Sequence, residues 1–365
     1  WRRNISTDAT HTSRVGCVST VTIREVDVHD ETALREWWEI GHAASAERPF
    51  DAWPAWEVSR VALPMPRTDQ TVTLLVAYDE VPPMSTGAES VGGPAVGAAM
   101  IPERLLDNTH VVDVGVYVHP EHRRRGVGSL LVADVEQRAR RRGRSAVTCS
   151  VFAPVDRESP GSLFATARGY PVASAEEIKL VDLAAAPGTW TALQADVDAA
   201  LGGYSVIAFE GACPEERVQG FADVLSRFLG EIPTGDLDLE SVTWTPERIR
   251  QGEQDRATAG RVNVTALALT PEREVCGFSD VRLSTADPRL GGVGGTLVLQ
   301  EHRGHRLGLA LKLATHRLVM ATFPECTHIE TGNAGVNAPM NAVNELMGYR
   351  VVERCLDVQK RLAPA

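Results

Sequence analysis

Hydrophobic positions along the chain fall into short runs that alternate with segments of helical period, and the same order of runs occurs twice. In the first half, VTIREV (21–26) reads as a strand and residues 31–46 as an amphipathic helix. TVTLLVAYD (71–79), AVGAAMI (95–101) and HVVDVGVYV (110–118) are three further strand-like runs. Leu130, Leu131, Val135 and Ala139 put a helix over 129–142, SAVTCSVF (145–152) is a strand, and 161–168 is a short helix ending at Gly169. In the second half, 205–209 reads as a strand and 214–230 as a helix, before strands NVTALALT (263–270), EVCGFSDVRL (274–283) and GGTLVLQ (294–300). A helix over 309–322, a strand HIETG (328–332) and a helix over 338–346 ending at Gly348 complete it.

The two series are in register. EHRRRGVG (121–128) and EHRGHRLG (301–308) share their first three residues and last glycine at a spacing of 180, and Gly169-Tyr170 and Gly348-Tyr349 lie 179 apart. A register held that closely marks an internal repeat. It divides the chain into a tail (1–19), a first domain (20–183), a connector (184–203) and a second domain (204–365). The connector carries Pro187-Gly188 and then a short helical pattern. The breaker-rich stretch EVPPMSTGAESVGGP (80–94) reads as a surface insertion between two strands.

Composition narrows the function. The 365 residues exceed one ordinary core, and 43% hydrophobic with 23% charged residues is a soluble composition. No apolar run reaches membrane-spanning length, and 1–18 lacks the apolar core of a secretory signal. Six scattered cysteines without a CxxC pair argue for reduced thiols in a cytoplasm and against a zinc site, so no metal is expected. A net charge of −11 disfavours nucleic-acid and anionic-membrane partners. The one basic cluster, RARRRGR (138–144), reads as the solvated end of a helix, where cations suit the macrodipole. Only three of the 37 basic residues are lysines, Lys179, Lys312 and Lys360, a bias without mechanistic weight.

The octapeptides carry the chemistry. An apolar strand, then Arg-x-x-Gly-x-Gly, then a helix, offers unpaired N–H groups at the positive end of a helix dipole. Glycine permits the turn and close approach of a phosphate, and arginine adds a charge-assisted contact. Residues 111–131 fit this pyrophosphate-binding pattern through Arg123, Gly126 and Gly128. No G-x-x-x-x-G-K-[ST] motif occurs, which argues against a nucleoside triphosphatase.

With VYVHPEHRRRGVGSLLV (116–132), LVLQEHRGHRLGLALKL (297–313) and NAPMNAVNELMGY (337–349), both halves resemble the GCN5-related N-acetyltransferase (GNAT) superfamily, in its tandem form as found in actinobacteria. The resemblance implies a mixed α/β fold of two tandem domains. Each would hold a central, mostly antiparallel sheet with splayed parallel strands 4 and 5, flanked by helices. It implies acetyl-CoA lying between 110–118 and 145–152, and between 294–300 and 328–332. The pyrophosphate would be held by Arg123, Arg124, Arg125, Gly126, Val127, Gly128 and Ser129 in the first copy. In the second it would be held by Arg303, Gly304, His305, Arg306, Leu307, Gly308 and Leu309. Main-chain groups near Val116 and Val118, or Thr296 and Val298, would pair with the pantetheine. The acceptor implied is a primary amine of a small molecule or peptide, and the chain would be a monomeric pseudo-dimer or a homodimer.

The copies differ. The second has Arg306 where the first glycine of the motif stands in copy one, which is expected to donate its N–H from an ordinary φ. It keeps Asn337, where relatives carry an asparagine that touches CoA; the first copy has Glu158 there. Asn333, Asn337, Asn341 and Asn344 suggest a polar binding face, with Asn333 and Asn337 as cofactor contacts. Where relatives place an acidic tyrosine, this chain has Asn344 and Ala165, so Asn344 or water would meet the leaving thiolate. Asp113 is the candidate base of the first site, against the plainer reading of a solvated strand-end acid. For the second site Asp280, Glu240, Glu253 and a water relay stay open. Trp37, Trp38, Trp53 and Trp56 read as core rather than pocket wall, and His122 and His302 as packing residues. Two functions remain: an acetyl-CoA-dependent N-acetyltransferase, for which the negative charge favours a cationic acceptor, and a non-catalytic acyl-CoA-binding protein.

Overall fold

The computed structural model describes residues 20–50, 53–80 and 93–363; the tail 1–19 and most of the anticipated insertion at 80–94 lie outside the described residues. In the first half, β1 (Thr20–Glu25), α1 (Glu31–Ser45), α2 (Trp56–Ala62), β2 (Gln70–Glu80) and β3 (Ala95–Arg104) lead to β4 (Val111–Asp113) and β5 (Gly115–Val118). They are followed by α3 (Val127–Arg141), β6 (Ala146–Ala153), α4 (Pro160–Ala167) and β7 (Val172–Asp182). The connector contains α5 (Pro187–Ala200). The second half runs β8 (Ser205–Glu210), α6 (Val218–Glu231), α7 (Pro246–Thr258), β9 (Arg261–Leu269), β10 (Val275–Ser284) and β11 (Leu290–Val298). It closes with α8 (Leu307–Thr322), β12 (His328–Ala334), α9 (Ala338–Leu346) and β13 (Arg350–Arg361).

Local chemistry explains the elements that frame the site. Asp30 caps α1 by accepting from the Thr32 and Ala33 amides at 2.9 and 3.2 Å, and Glu31 in the first turn suits the helix dipole. The helix then lays Leu34, Trp37 and Ile40 against Leu74, Val76 and Ala98 of the β2–β3 hairpin. The run 110–118, read as one strand, is two: Val114 breaks it by donating its N–H to the Thr148 carbonyl (2.9 Å) on β6.

All the strands of the described residues join in one sheet, in the order β1-β2-β3-β4-β6-β13-β7-β12-β11-β10-β9-β8, with β5 paired to β3. Within each half the strands are antiparallel except for one parallel pair, β4 with β6 and β11 with β12. The halves exchange their last strands. β13 pairs with β6 from Arg354↔Ala153 to Arg361↔Ala146, β7 pairs with β12 from His328↔Asp182 to Ala334↔Glu176, and β13 and β7 run antiparallel at the centre. Leu356 and Val358 of the C-terminal strand, and Leu362 just after it, therefore belong to the core of the first half, with Val112, Leu131 and Val147. Val181 and Leu183 belong to that of the second, with Leu313 and Ile329.

The connector is a packed element. Trp190 of α5 is 1% exposed and donates its indole N–H to the Met347 carbonyl (3.1 Å), while Arg317 of α8 donates back to the Trp190 carbonyl (3.0 Å). The segment after α6 also crosses the junction. Asp236 N–H bonds to the Ala173 carbonyl (2.8 Å), Asp238 N–H to the Gln359 side chain (3.0 Å), and Glu240 exchanges two hydrogen bonds with the side chain of Asn108.

The exchange has a measurable consequence. Leu356→Ala, in the last strand of the chain, should cost about 2–5 kcal/mol, as large-to-small core changes do. Amide exchange should quicken in β6, near the middle of the sequence. Loss of protection confined to residues after 204 would contradict the assignment.

Candidate functional site

Each parallel pair separates soon after it forms. β4 meets β6 over three residues, Val111↔Ala146 to Asp113↔Thr148, and β11 meets β12 over three, Leu290↔His328 to Gly292↔Glu330. Beyond that, β5 and the rest of β11 bond only to β3 and β10 on one edge, while β6 and β12 turn to β13 and β7. Two wedges lined by main-chain edges without a strand partner result, which suits an amide-bearing chain such as pantetheine. Val116 and Val118 stand on the first wedge, Thr296 and Val298 on the second.

At the wide end of each wedge lies an octapeptide loop. Neither α3 nor α8 has a side-chain cap, so first-turn amides, at Val127 and Gly128 and at Leu307–Leu309, lack intrahelical partners, while Ser129 N–H already bonds the Gly126 carbonyl (3.0 Å). The backbone repeats more faithfully than the residues. Left-handed φ occurs at Arg124 (+64°) and Gly126 (+88°) in one loop and at Gly304 (+96°) and Arg306 (+53°) in the other. The glycine has changed places with the arginine, so each loop keeps one strained residue. This corrects the expectation of an ordinary φ at Arg306. No heavy atom lies within 4 Å of a Cβ built on Gly126, Gly304 or Gly308, which leaves open space for a ligand.

Arg123 and Arg303 are both engaged by groups of the protein itself. Arg123 Nε donates to the Val118 carbonyl (3.4 Å) and its Nη1 to Glu47 (2.8 Å); Arg303 Nε donates to the Val298 carbonyl (3.0 Å) and its Nη2 to Glu231 (2.7 Å). In both copies the arginine braces the loop. The charges left around the loops are Arg124 and Arg125 in the first and Arg306, 3.7 Å from Asp196, in the second. His305 packs on Tyr204, whose hydroxyl bonds His302 (3.0 Å).

The asparagines also turn out otherwise than expected. Asn337 is the N-cap of α9, accepting from Met340 N–H. Asn344 is wholly buried: it accepts from Lys312 Nζ (2.7 Å) and donates to Asn333 Oδ1 (2.9 Å). Lys179 from β7 donates to Asn333 (3.2 Å) and Asn341 (2.5 Å). The cluster is thus an internal network holding α8, α9 and β12 to the exchanged strand, and the amide of Asn344 is spent inside it. Burial pulls the Lys312 ammonium down to about 7, with Lys179 adding like-charge repulsion.

The face on which an acceptor would approach differs between halves. In the first it is filled: Trp53 packs edge-on to Tyr117 (4.9 Å) and beside Trp37 (5.7 Å), and a Cβ on Gly115 would meet the Tyr117 hydroxyl at 2.4 Å. Asp113 is tied to Arg104 (2.7 Å) and Thr148 (2.6 Å), half-exposed, which is the plainer of its two readings. In the second half a cavity of about 540 Å³ opens, walled by Phe228, Phe278 and Trp244 and closed on one side by Arg104, Asp107 and Asn108 of the first half.

Asp280 of β10 stands in this cavity, 5% exposed, over a bulge where it pairs with Gly295 and its successor Val281 with Val293. A Cβ on the intervening Gly294 would lie 2.4 Å from the Asp280 carboxylate, so only glycine leaves it room. Burial pushes the Asp280 carboxyl up, against the pull of Arg282, Arg256 and the Gly295 amide. Of the other two open candidates, Glu253 is tied to the Cys213 amide and to Arg250 (2.8 Å each), and Glu240 does not line the cavity. Neither a strand position nor a motif distinguishes Asp280 in the sequence; its alignment with the Gly294 bulge appears only in the sheet register.

Two outcomes follow. Gly126→Ala should cost about 1–2 kcal/mol, the strain of a left-handed non-glycine residue. Arg306→Gly should be neutral or stabilising by less than about 1 kcal/mol, both read by chemical denaturation. An unfolded lysine titrates near ~10.4, so as pH falls from there towards about 7 the unfolded chain gains a proton that folded Lys312 refuses. Stability should drop across that window and level off below it. Lys312→Met should flatten the slope of urea midpoint against pH between 7 and 10.

Residues 33–160 match the model of the acetyltransferase (GNAT) family. No curated protein matches the chain. Among solved structures, a tandem GNAT protein from the clavulanic acid biosynthesis pathway is similar at 25% identity with a TM-score of 0.75, covering 95% of this chain and 100% of that one. A GCN5-related N-acetyltransferase from Sphaerobacter thermophilus (17% identity, TM-score 0.61, covering 94% and 96%) shares the fold. Family match, paired wedges and uncapped loops lead to one conclusion: residues 33–160 carry the pattern of the acetyltransferase (GNAT) family, and the chain as a whole has the fold of a tandem GNAT protein.

Proposed function

We propose that the second half, 204–365, transfers an acetyl group from acetyl-CoA to the primary amine of a small molecule by direct attack in a ternary complex. The first half, 20–183, binds acyl-CoA through its loop and supplies a wall to its neighbour. The observation that carries this reading is the buried carboxylate of Asp280, standing in an open cavity directly over the bulge where β11 leaves β12. The matching face of the first half is filled by Trp53, Trp37 and Tyr117.

Acetyl-CoA supplies an activated thioester. The α8 amides and Arg306 hold its phosphates, and the edge of β11 that lacks a strand partner, at Thr296 and Val298, aligns its pantetheine. Asp280 accepts the proton that the amine must lose before or during attack; a carboxyl raised by burial is better matched to that work near neutral pH than a solvated one. The nitrogen bonds to the acetyl carbon and the C–S bond breaks. The departing thiolate, from a thiol of pKa about 8.5, takes its proton from water, so the absence of a tyrosine at Asn344 does not stop the reaction. The five cysteines among the described residues are free thiols, which supports a cytoplasmic setting.

Release of CoA over a panel of amines tests the reading. Asp280→Asn should lower kcat by about 10²–10⁴-fold with CoA binding retained, and Asp113→Asn should leave turnover unchanged. Activity should rise with pH through a limb above the ordinary aspartate value of about 3.9, and that limb should vanish in Asp280→Asn. For stability the sign is reversed: the raised carboxyl favours the fold below its unfolded pKa and loses that contribution as pH rises through the folded one, so Asp280→Asn should melt higher at pH 7. Turnover abolished by Asp113→Asn and spared by Asp280→Asn would place the chemistry in the first half instead.

A further inference from the structure

The overall charge of −11 points to a cationic acceptor, but the cavity has a different local balance. Its lining holds four acids and four arginines, and most cancel. Asp69 is bonded to Arg67, Arg104 to Asp113, Asp107 to Arg248 and Glu253 to Arg250. Three charges remain. Asp280 accepts from Arg282 Nε (3.2 Å), which leaves the outer end of that exposed guanidinium free. Arg256 of α7 makes no hydrogen bond or ion pair among the described residues, although burial in the cavity wall and the neighbouring Arg282 both press its charge downward.

A second polar atom is also unpartnered. Asn263 of β9 donates its amide Nδ2 to Asp280 (3.1 Å), which fixes the orientation of the group and turns its Oδ1 away. That oxygen is buried without a hydrogen-bond donor. A buried acceptor without a donor is unfavourable, and half-buried Arg256 has only the longer-range attraction of Asp280, Glu253 and Asp255 in place of a bonded counter-ion. The two unmet demands are of opposite kind: Asn263 Oδ1, on a residue of the cavity lining, lacks an N–H donor, and Arg256 lacks a hydrogen-bonded anion. The aromatic rings of Phe228, Phe278 and Trp244 lie in the wall of the same cavity. A cavity of this size is in the range that encloses a small molecule.

We propose that the cavity of the second half takes a small amino acid-like molecule, in which the acceptor amine meets Asn263 and Asp280, a carboxylate meets Arg256 with the free end of Arg282, and an apolar body lies on the aromatic wall. The identification of the amine as the acetylated group rests on the function proposed above; the recognition of amine and carboxylate together does not. A polyamine or an aminoglycoside supplies the donor but leaves Arg256 unpaired and sets further positive charge against it.

Binding to the full-length protein without acetyl-CoA separates the two questions. L-Phenylalanine and glycyl-L-phenylalanine, which place the two groups at different separations, are compared by calorimetry with phenethylamine, 3-phenylpropionate and spermidine. At least one of the first two should bind 10-fold or more tighter than each of the other three. Arg256→Gln should erase the advantage over phenethylamine, and Arg256→Lys should restore part of it. Phenethylamine or spermidine binding as tightly as the carboxylate-bearing amines, or neither carboxylate-bearing amine binding, overturns the proposal, and this comparison on the unaltered protein needs no variant to fold. Selective binding without CoA release on addition of acetyl-CoA leaves the recognition standing and removes the proposed transfer.

Discussion

The hydrogen-bonded seam between β7 and β13 is the constraint on which the molecule depends. A strand edge in a protein interior must find partners for its N–H and C=O groups. Here the edge of β6 is completed only by a strand more than 190 residues downstream, and the edge of β12 only by one about 150 residues upstream. Each exchanged strand also brings its side chains, Leu356 and Val358 in one direction and Val181 in the other, into a core that it did not start from. The halves of the sequence are therefore not the halves of the packed structure. The packed connector α5 and the crossing segment after α6 reinforce a junction already set by main-chain pairing.

Much of this was legible in the sequence, and the parts that were not share a cause. The strands buried on both faces, such as 71–79 and 263–270, announce themselves as continuous apolar runs, and the loops as a repeated octapeptide. β7 is interrupted by Glu176, Glu177 and Lys179, because at the seam these residues meet a partner strand and the asparagine network rather than a uniform core. α7 buries only Ile249, so it has no apolar stripe to detect; its sequence answers to ion pairs with Glu215 and Asp107. Exchange itself cannot be seen from local pattern, since β13 would read the same whichever edge it joined.

The site residues divide along the same line. The repeat of the loops was readable, though not the backbone at Arg306: the positions with left-handed φ survive the duplication although arginine and glycine have traded places. Side-chain roles were less so. Arg123 and Arg303, read as phosphate ligands, are bonded to Glu47 and Glu231, and of the asparagines read as a binding face Asn333, Asn341 and Asn344 form an interior network. Asp280 has no motif because what singles it out is the absence of a side chain at Gly294, opposite it on another strand.

The wall formed by Arg104, Asp107 and Asn108 makes the two copies interdependent in a particular way. In a symmetric pair of identical chains, a change in such a wall would alter two equivalent cavities at once, and any gain at one would be tied to a loss at the other. Joined in a single chain, the wall serves one cavity alone. The half with the filled face can then drift to reshape the cavity of its neighbour, without touching a residue of the half that carries it.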